Sequence, residues 1–280
     1  MVDAAMVDAS IDGPPAPPCD LTKPFGTPMD VLGIHDPLGD DVGAALSADE
    51  LTIYFASNRF DHAKFHLYTS TRANRNDPFP MPGIAQGTFS DEGESHPSTS
   101  PDGHTIYFDS FRPVPMPATG MFHIFRSTRA NASVQFPTPM ALSGDFVIDP
   151  SVLADGSAVY MSNLVNGVLA RAERSGTGFG DPQNVPLSGF QFSITAPVSR
   201  DDLTLYMSLG DTTGHSILVT RRTAVTQPWP MPAPLAEIQP TANVAEPNWI
   251  SPDGCRLYMT LQAGSDKSKV FFATRPVALM

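Results

Sequence analysis

Five carboxylates stand just ahead of, or inside, short apolar segments: Asp40, Asp41, Glu94, Asp149 and Glu246. Gathered at one mouth of a channel, such groups could ligate a cation or hold a basic peptide or a sugar. Flanking a glycosidic bond, Glu94, Asp149 and Glu246 could instead serve as the acid, base and nucleophile of a hydrolase. Their spacing to the motif that follows each of them is not constant, and a fourth copy of the pattern offers Thr195. No residue is therefore assigned a catalytic role, and Asp41, Glu94, Asp149 and Glu246 are expected to bind ligand at a channel mouth. Among the seven histidines only His62-x-x-x-His66 has a ligand-like spacing, and it falls in a loop entering a strand rather than on a helix. No metal-ligand set and no cofactor are expected, calcium in the channel being the one ion left open. No glycine-rich phosphate loop and no Gly-x-Ser-x-Gly elbow is present.

The elements that would carry these groups are repeats. Ser100-Pro101-Asp102-Gly103 followed by Thr105-Ile106-Tyr107-Phe108 recurs four more times with variations. In every copy an aspartate (Asp49, Asp102, Asp155, Asp201, Asp253) is followed five residues later by a tyrosine (Tyr54, Tyr107, Tyr160, Tyr206, Tyr258). A period near 50 that appears five times marks a repeat architecture. Asp-Gly between alternating apolar runs is a tight-turn signal, because glycine takes positive φ without strain. Glu50 and Asp202 replace that glycine in copies one and four, so wider or more strained turns are expected there. Large residues on both faces of the Tyr strand imply a strand sandwiched between two sheets.

A further strand follows in each copy, ending in Arg72, Arg129, Arg174, Arg221 or Arg222, and Arg275. These arginines are expected to pair with backbone or with a nearby carboxylate. Next comes an aromatic-x-x-Pro unit (Phe79–Pro82, Phe136–Pro139, Phe179–Pro182, Trp229–Pro232) that reads as the entry to an outer strand. With the short segment before each turn, this makes four strands per repeat, the content of one propeller blade. Phe25-Gly26-Thr27-Pro28 is a fifth outer-strand unit placed before the first turn, and no such unit follows Arg275. The fold class expected is all-β: a five-bladed β-propeller closed by an N-terminal outer strand that completes the C-terminal blade.

Residues 1–20 are rich in Asp, Ala and Pro and read as a disordered tether. Residues 21–280 are expected to form a single propeller, with repeats near 40–90, 91–145, 146–190, 191–240 and 241–280 plus 21–39. The tether lacks the basic start and apolar core of a signal peptide, and both a trimmed export sequence and a cytosolic chain stay open. Cys19 and Cys255 are placed so that a disulfide could staple the closure. A formal charge of −12 and no basic stripe exclude nucleic acid as a natural partner. No 18-residue apolar run suggests a membrane span. A monomer is expected.

Ser-Pro-Asp-Gly, an apolar run with an aromatic, and Leu67-Tyr68-Thr69-Ser70-Thr71-Arg72 together resemble the WD40-like propeller repeat of the TolB family of bacterial envelope proteins. The resemblance covers residues 25–275. Copies three and four depart from it, with Leu153 for Ser and Asp202 for Gly. The sialidase Asp box is a near miss, because here the Gly directly follows the Asp. The resemblance implies a periplasmic, surface-tethered or secreted binding module that presents its channel and loops to a protein, peptide or glycan. A glycoside hydrolase acting through inward carboxylates is the alternative. The loops at Pro113–Pro117 and Gly210–His215 are candidate recognition surfaces.

Overall fold

In a computed structural model the chain is all-β, with no helix among the described residues. Those residues are 19–114, 122–142, 147–163, 167–176, 178–187, 198–199, 201–211, 214–238 and 242–278. Five sheets stand around a central axis as five blades. Blade 1 contains Asp41–Leu46, Thr52–Ser57, His66–Thr71 and Gly83–Ile84, and blade 2 contains Glu94–Thr99, Thr105–Ser110, His123–Thr128 and Met140–Ala141. Blade 3 runs Val147–Val152, Ala158–Asn163 and Val168–Ser175, whose last strand pairs with both Gly178–Phe179 and Gln183–Asn184. Blade 4 contains Thr204–Asp211, Gly214–Arg221 and Ala233–Pro234, with a single bridge from Val198 to Leu205 on the inner side. Blade 5 contains Ala242–Ile250, Arg256–Ala263 and Lys269–Thr274, and its outer strand is Met29–Asp30 from the other end of the chain.

The recurrent aspartate organises the turn between the first two strands. Asp102 accepts hydrogen bonds from the Ser100 hydroxyl (2.5 Å) and the His104 amide (3.0 Å), and the Ser100 Oγ accepts from the Thr105 amide. Copies one, four and five repeat this arrangement through Ser47, Ser199 and Ser251. In blade 3, where Leu153 replaces the serine, Ser157 donates to Asp155 instead. The glycine after the aspartate sits at positive φ (65° at Gly103), and Glu50 and Asp202 adopt the same conformation at 60° and 57°. All five turns keep the same closing hydrogen bond, so the expected widening at copies one and four does not occur.

What those two side chains do explains why the strain is tolerated. Each recurrent tyrosine is buried against the next blade around the ring. Tyr160 donates its phenol proton to Asp202 (2.8 Å), and the Tyr258 hydroxyl lies 3.3 Å from Glu50. At the Gly103 and Gly254 turns an arginine takes the position: Arg129 donates to the Tyr54 oxygen and Arg275 to the Tyr206 oxygen. Burial and the adjacent carboxylate push the phenols of Tyr160 and Tyr258 far above the ordinary tyrosine range. Arg72, Arg129, Arg174, Arg222 and Arg275 each donate to the carbonyl of their own blade's positive-φ turn residue. Four of these guanidinium groups also stack at 3.9–4.3 Å over the outer-unit aromatics Phe79, Phe136, Trp229 and Phe25. Five apolar clusters result, one at each interface between blades.

Ring closure follows from the same unit. Met29 and Asp30 pair with Phe272 and Phe271, and the Gly26 amide donates to the Thr274 carbonyl at 2.8 Å. Upstream of this strand Cys19 is disulfide-bonded to Cys255, with Cα atoms 5.6 Å apart, and bridges to Val277. The first two described residues are thus held on blade 5.

Candidate functional site

The inner strands of blades 1, 2, 3 and 5 line the axis, and each of these four is interrupted by a β-bulge, where it carries an extra residue against the next strand. In blades 1, 2 and 3 the bulge residue with positive φ is Gly43 (63°), His96 (43°) and Asp149 (55°). Each lies six positions before the recurrent aspartate of its blade. Glycine is the residue this conformation favours; a histidine and an aspartate in it are strained, and such strain concentrates at functional positions. Gly43 also makes room for its neighbour: a Cβ there would lie 3.2–3.4 Å from the backbone and ring of His96.

His96 projects between two buried carboxylates. Its Nδ1 is 3.2 Å from Asp109 Oδ1, on the second strand of blade 2, and 2.8 Å from Asp149 Oδ1. The donor atoms of these three residues all lie within 4.8 Å of one another. The Asp149 contact is an ion pair off the hydrogen-bonding direction: among the described residues neither Asp149 oxygen accepts a hydrogen bond, although both are buried. Burial works against a charged imidazole, but Asp149 and Asp109 outweigh it and hold His96 well above the ordinary histidine range. A cavity of about 20 Å³, lined by Gly43, His96, Asp149 and Asn248 among others, adjoins the trio on the axis.

The other expected ligand-binding carboxylates have different fates. Asp41 and Glu94 open their inner strands eight positions before the recurrent aspartate, and both are buried. Arg59 donates to Asp41 Oδ1 at 2.6 Å, and the Asp36 amide donates to Oδ2 at 2.9 Å. Arg112 donates to Glu94 Oε1 at 2.7 Å, Ser90 donates to the same oxygen, and His66 Nδ1 lies 3.1 Å from Oε2. Each arginine follows the second strand in a Ser-x-Arg sequence and stacks beside two aromatic rings, Phe55 and Tyr68 or Phe108 and Phe125. Burial alone would raise the Asp41 carboxyl, but contacts from His35, Ser57 and Arg59 hold it below the ordinary range.

Asp41 and Glu94 are thus each held by an arginine, whereas Asp149 meets His96. Asp40 ties blade 1 to blade 5 by accepting from the Ser268 amide. Glu246 lies half-buried on the inner strand of blade 5, opposite Thr260. Thr195, Pro115–Pro117 and Thr212–Thr213 fall outside the described residues. His62 sits in a turn and His66 opens the strand that follows, as expected of a loop entering a strand, and there His66 is buried and paired with Glu94. Sequence reasoning missed His96 and Asp109. The signal available was the shared six-residue offset of His96 and Asp149, both followed by proline.

A second concave feature, a cleft of about 700 Å³, opens between blades 1 and 2. Phe65, Phe111, Val114 and Phe122 supply its apolar wall, and Lys64 and Glu92 stand at 4.0 Å from each other beside it.

No family model matches this chain, and no curated protein matches its sequence. Solved structures do match its shape. TolB from Acinetobacter baumannii superposes with a TM-score of 0.54 at 15% identity, covering 85% of this chain and 56% of that one. The fold is TolB-like. The catalytic domain of a GH62 α-L-arabinofuranosidase from Coprinopsis cinerea reaches 0.60 at 12% identity, covering 90% of this propeller and 97% of the enzyme domain. A thermostable family-43 glycoside hydrolase reaches 0.58 at 14% identity, with 89% and 91% covered. At these identities the likeness concerns the fold, and this TolB-like propeller spans a little over half of the TolB chain.

Proposed function

We propose that this TolB-like propeller is a non-enzymatic binding module of the bacterial envelope or exterior that takes a short apolar peptide segment in the cleft between blades 1 and 2. The observation that carries the reading is the engagement of Asp41 by Arg59 and of Glu94 by Arg112. A carboxylate fixed to a guanidinium in a buried pair is poorly suited to deliver or accept a proton, which is what a hydrolase would ask of Glu94. The cleft offers aromatic and aliphatic walls with a charged pair beside them, the lining that peptide side chains fit. The Cys19–Cys255 disulfide suits an oxidising compartment, which favours a periplasmic, surface-tethered or secreted location.

A glycoside hydrolase is the second reading, favoured by the near-complete coverage of the GH62 catalytic domain and by the carboxylates on the axis. A displayed peptide library and a glycan panel, each run with wild type and with Phe111→Ala, separate the two. Peptide capture weakened at least 10-fold by the substitution, with an unchanged melting temperature, supports the first. Glycan cleavage by wild type overturns it.

A further inference from the structure

The axial trio answers a different need from the cleft. Two carboxylates, Asp109 and Asp149, are each about 1% exposed and share one imidazole. A buried carboxylate normally collects hydrogen bonds or a fixed cation, as Asp41 and Glu94 do. Asp149 has two buried oxygens that accept no hydrogen bond among the described residues, and its one ion pair there is with His96. A neutral imidazole would leave two negative charges in the constriction; a cation held among the three would balance them.

We propose that His96 Nδ1, Asp109 and Asp149 form a binding site for one divalent transition-metal ion of the zinc class on the propeller axis. Bonds of about 2.0–2.1 Å in a tetrahedral shell put neighbouring donor atoms ~3.3 Å apart. The Nδ1 to Asp109 separation of 3.2 Å already meets that, and the 2.8 Å to Asp149 reaches it with a small side-chain opening. Three protein ligands leave a fourth position. The adjoining cavity of about 20 Å³ accommodates one water there, since a water requires roughly 10–15 Å³ by this kind of measure. One imidazole nitrogen with two carboxylates is a donor set for zinc, nickel or copper. Calcium takes six to eight oxygens at longer distances. The site also accounts for two strained bulge residues: each departs from the alternation that would send its side chain toward a neighbouring blade's face, and so can present a ligand at the axis.

The test is zinc and cobalt titration of the chelator-treated, disulfide-intact protein by calorimetry, with calcium in parallel and anomalous scattering from zinc-soaked crystals to locate the ion. The expected result is one zinc per chain at His96, Asp109 and Asp149, with the visible absorption of four-coordinate cobalt and no response to equimolar calcium. His96→Gln and Asp149→Asn should each weaken zinc by more than the roughly 10–100-fold that loss of an outer-shell partner costs. Failure of the folded wild type to bind zinc, or an anomalous peak elsewhere, overturns the proposal. So does zinc affinity unchanged in folded variants, which would leave a protonated His96 as the cation between the carboxylates. If either variant fails to fold, the wild-type titration and the anomalous map decide alone.

Discussion

Two kinds of buried carboxylate stand on the inner and second strands of the first three blades, and they are built in opposite ways. At the strand starts, Asp41 and Glu94 are enclosed by an arginine, a further donor and two aromatic rings. At the bulges, Asp149 and the nearby Asp109 have His96 between them and, among the described residues, pair with no guanidinium. The first arrangement sets each carboxylate against its own fixed arginine, and the second sets two carboxylates against a single imidazole. Burial by itself thus says little about function in this molecule; the identity of the countercharge says more.

Breaking the enclosed pair should give the largest effect. Arg112→Ala strands Glu94 in the interior and is expected to cost about 3–5 kcal/mol of stability in urea unfolding, the penalty for an uncompensated buried charge. A loss under 1 kcal/mol would mean that Glu94 is not held as described. Next, Tyr160→Phe leaves Asp202 without its phenol donor and is expected to cost about 1–3 kcal/mol.

The acid limb of the stability profile sharpens the contrast further. The Asp41 carboxyl is held below the ordinary aspartate value of about 3.9 in the folded state. Its contribution is therefore present above that value and is lost as pH falls through the lower, folded one. Asp41→Asn should flatten the fall in melting temperature below about pH 4, and an unaltered slope would place the acid sensitivity elsewhere. Smallest of all, Asp149→Asn in metal-free protein gives up the ion pair to His96 but relieves the repulsion between two buried carboxylates, and His96 keeps Asp109 as its partner. Its unfolding free energy should stay within about 1 kcal/mol of wild type, or rise slightly.

The repeat was legible because its causes are local. Ser100, Asp102 and Gly103 make their turn within five residues, and Phe25 announces its blade by matching Phe136. The five-bladed ring and the closure at Phe25 follow from counting such units. The site was less legible for a physical reason. Asp41, Glu94 and Asp149 look alike as acidic residues near a strand, and the offsets of eight, eight and six positions that distinguish them read as irregular spacing. Their meaning depends on partners from other strands: Arg59 and Arg112 beyond the second strand, Asp109 within it, and His96 from the neighbouring blade. The substitutions at Glu50 and Asp202 were visible, but their reward, a tyrosine hydroxyl delivered by the preceding blade, appears only once the ring is assembled.

The most direct measurement is thermal melting of Glu94→Gln and Asp149→Asn side by side, with and without zinc. The account predicts that Glu94→Gln melts lower than wild type yet is still raised by zinc, whereas Asp149→Asn melts near wild type and no longer responds. The reverse pattern, a zinc response lost with Glu94 and kept without Asp149, would contradict it.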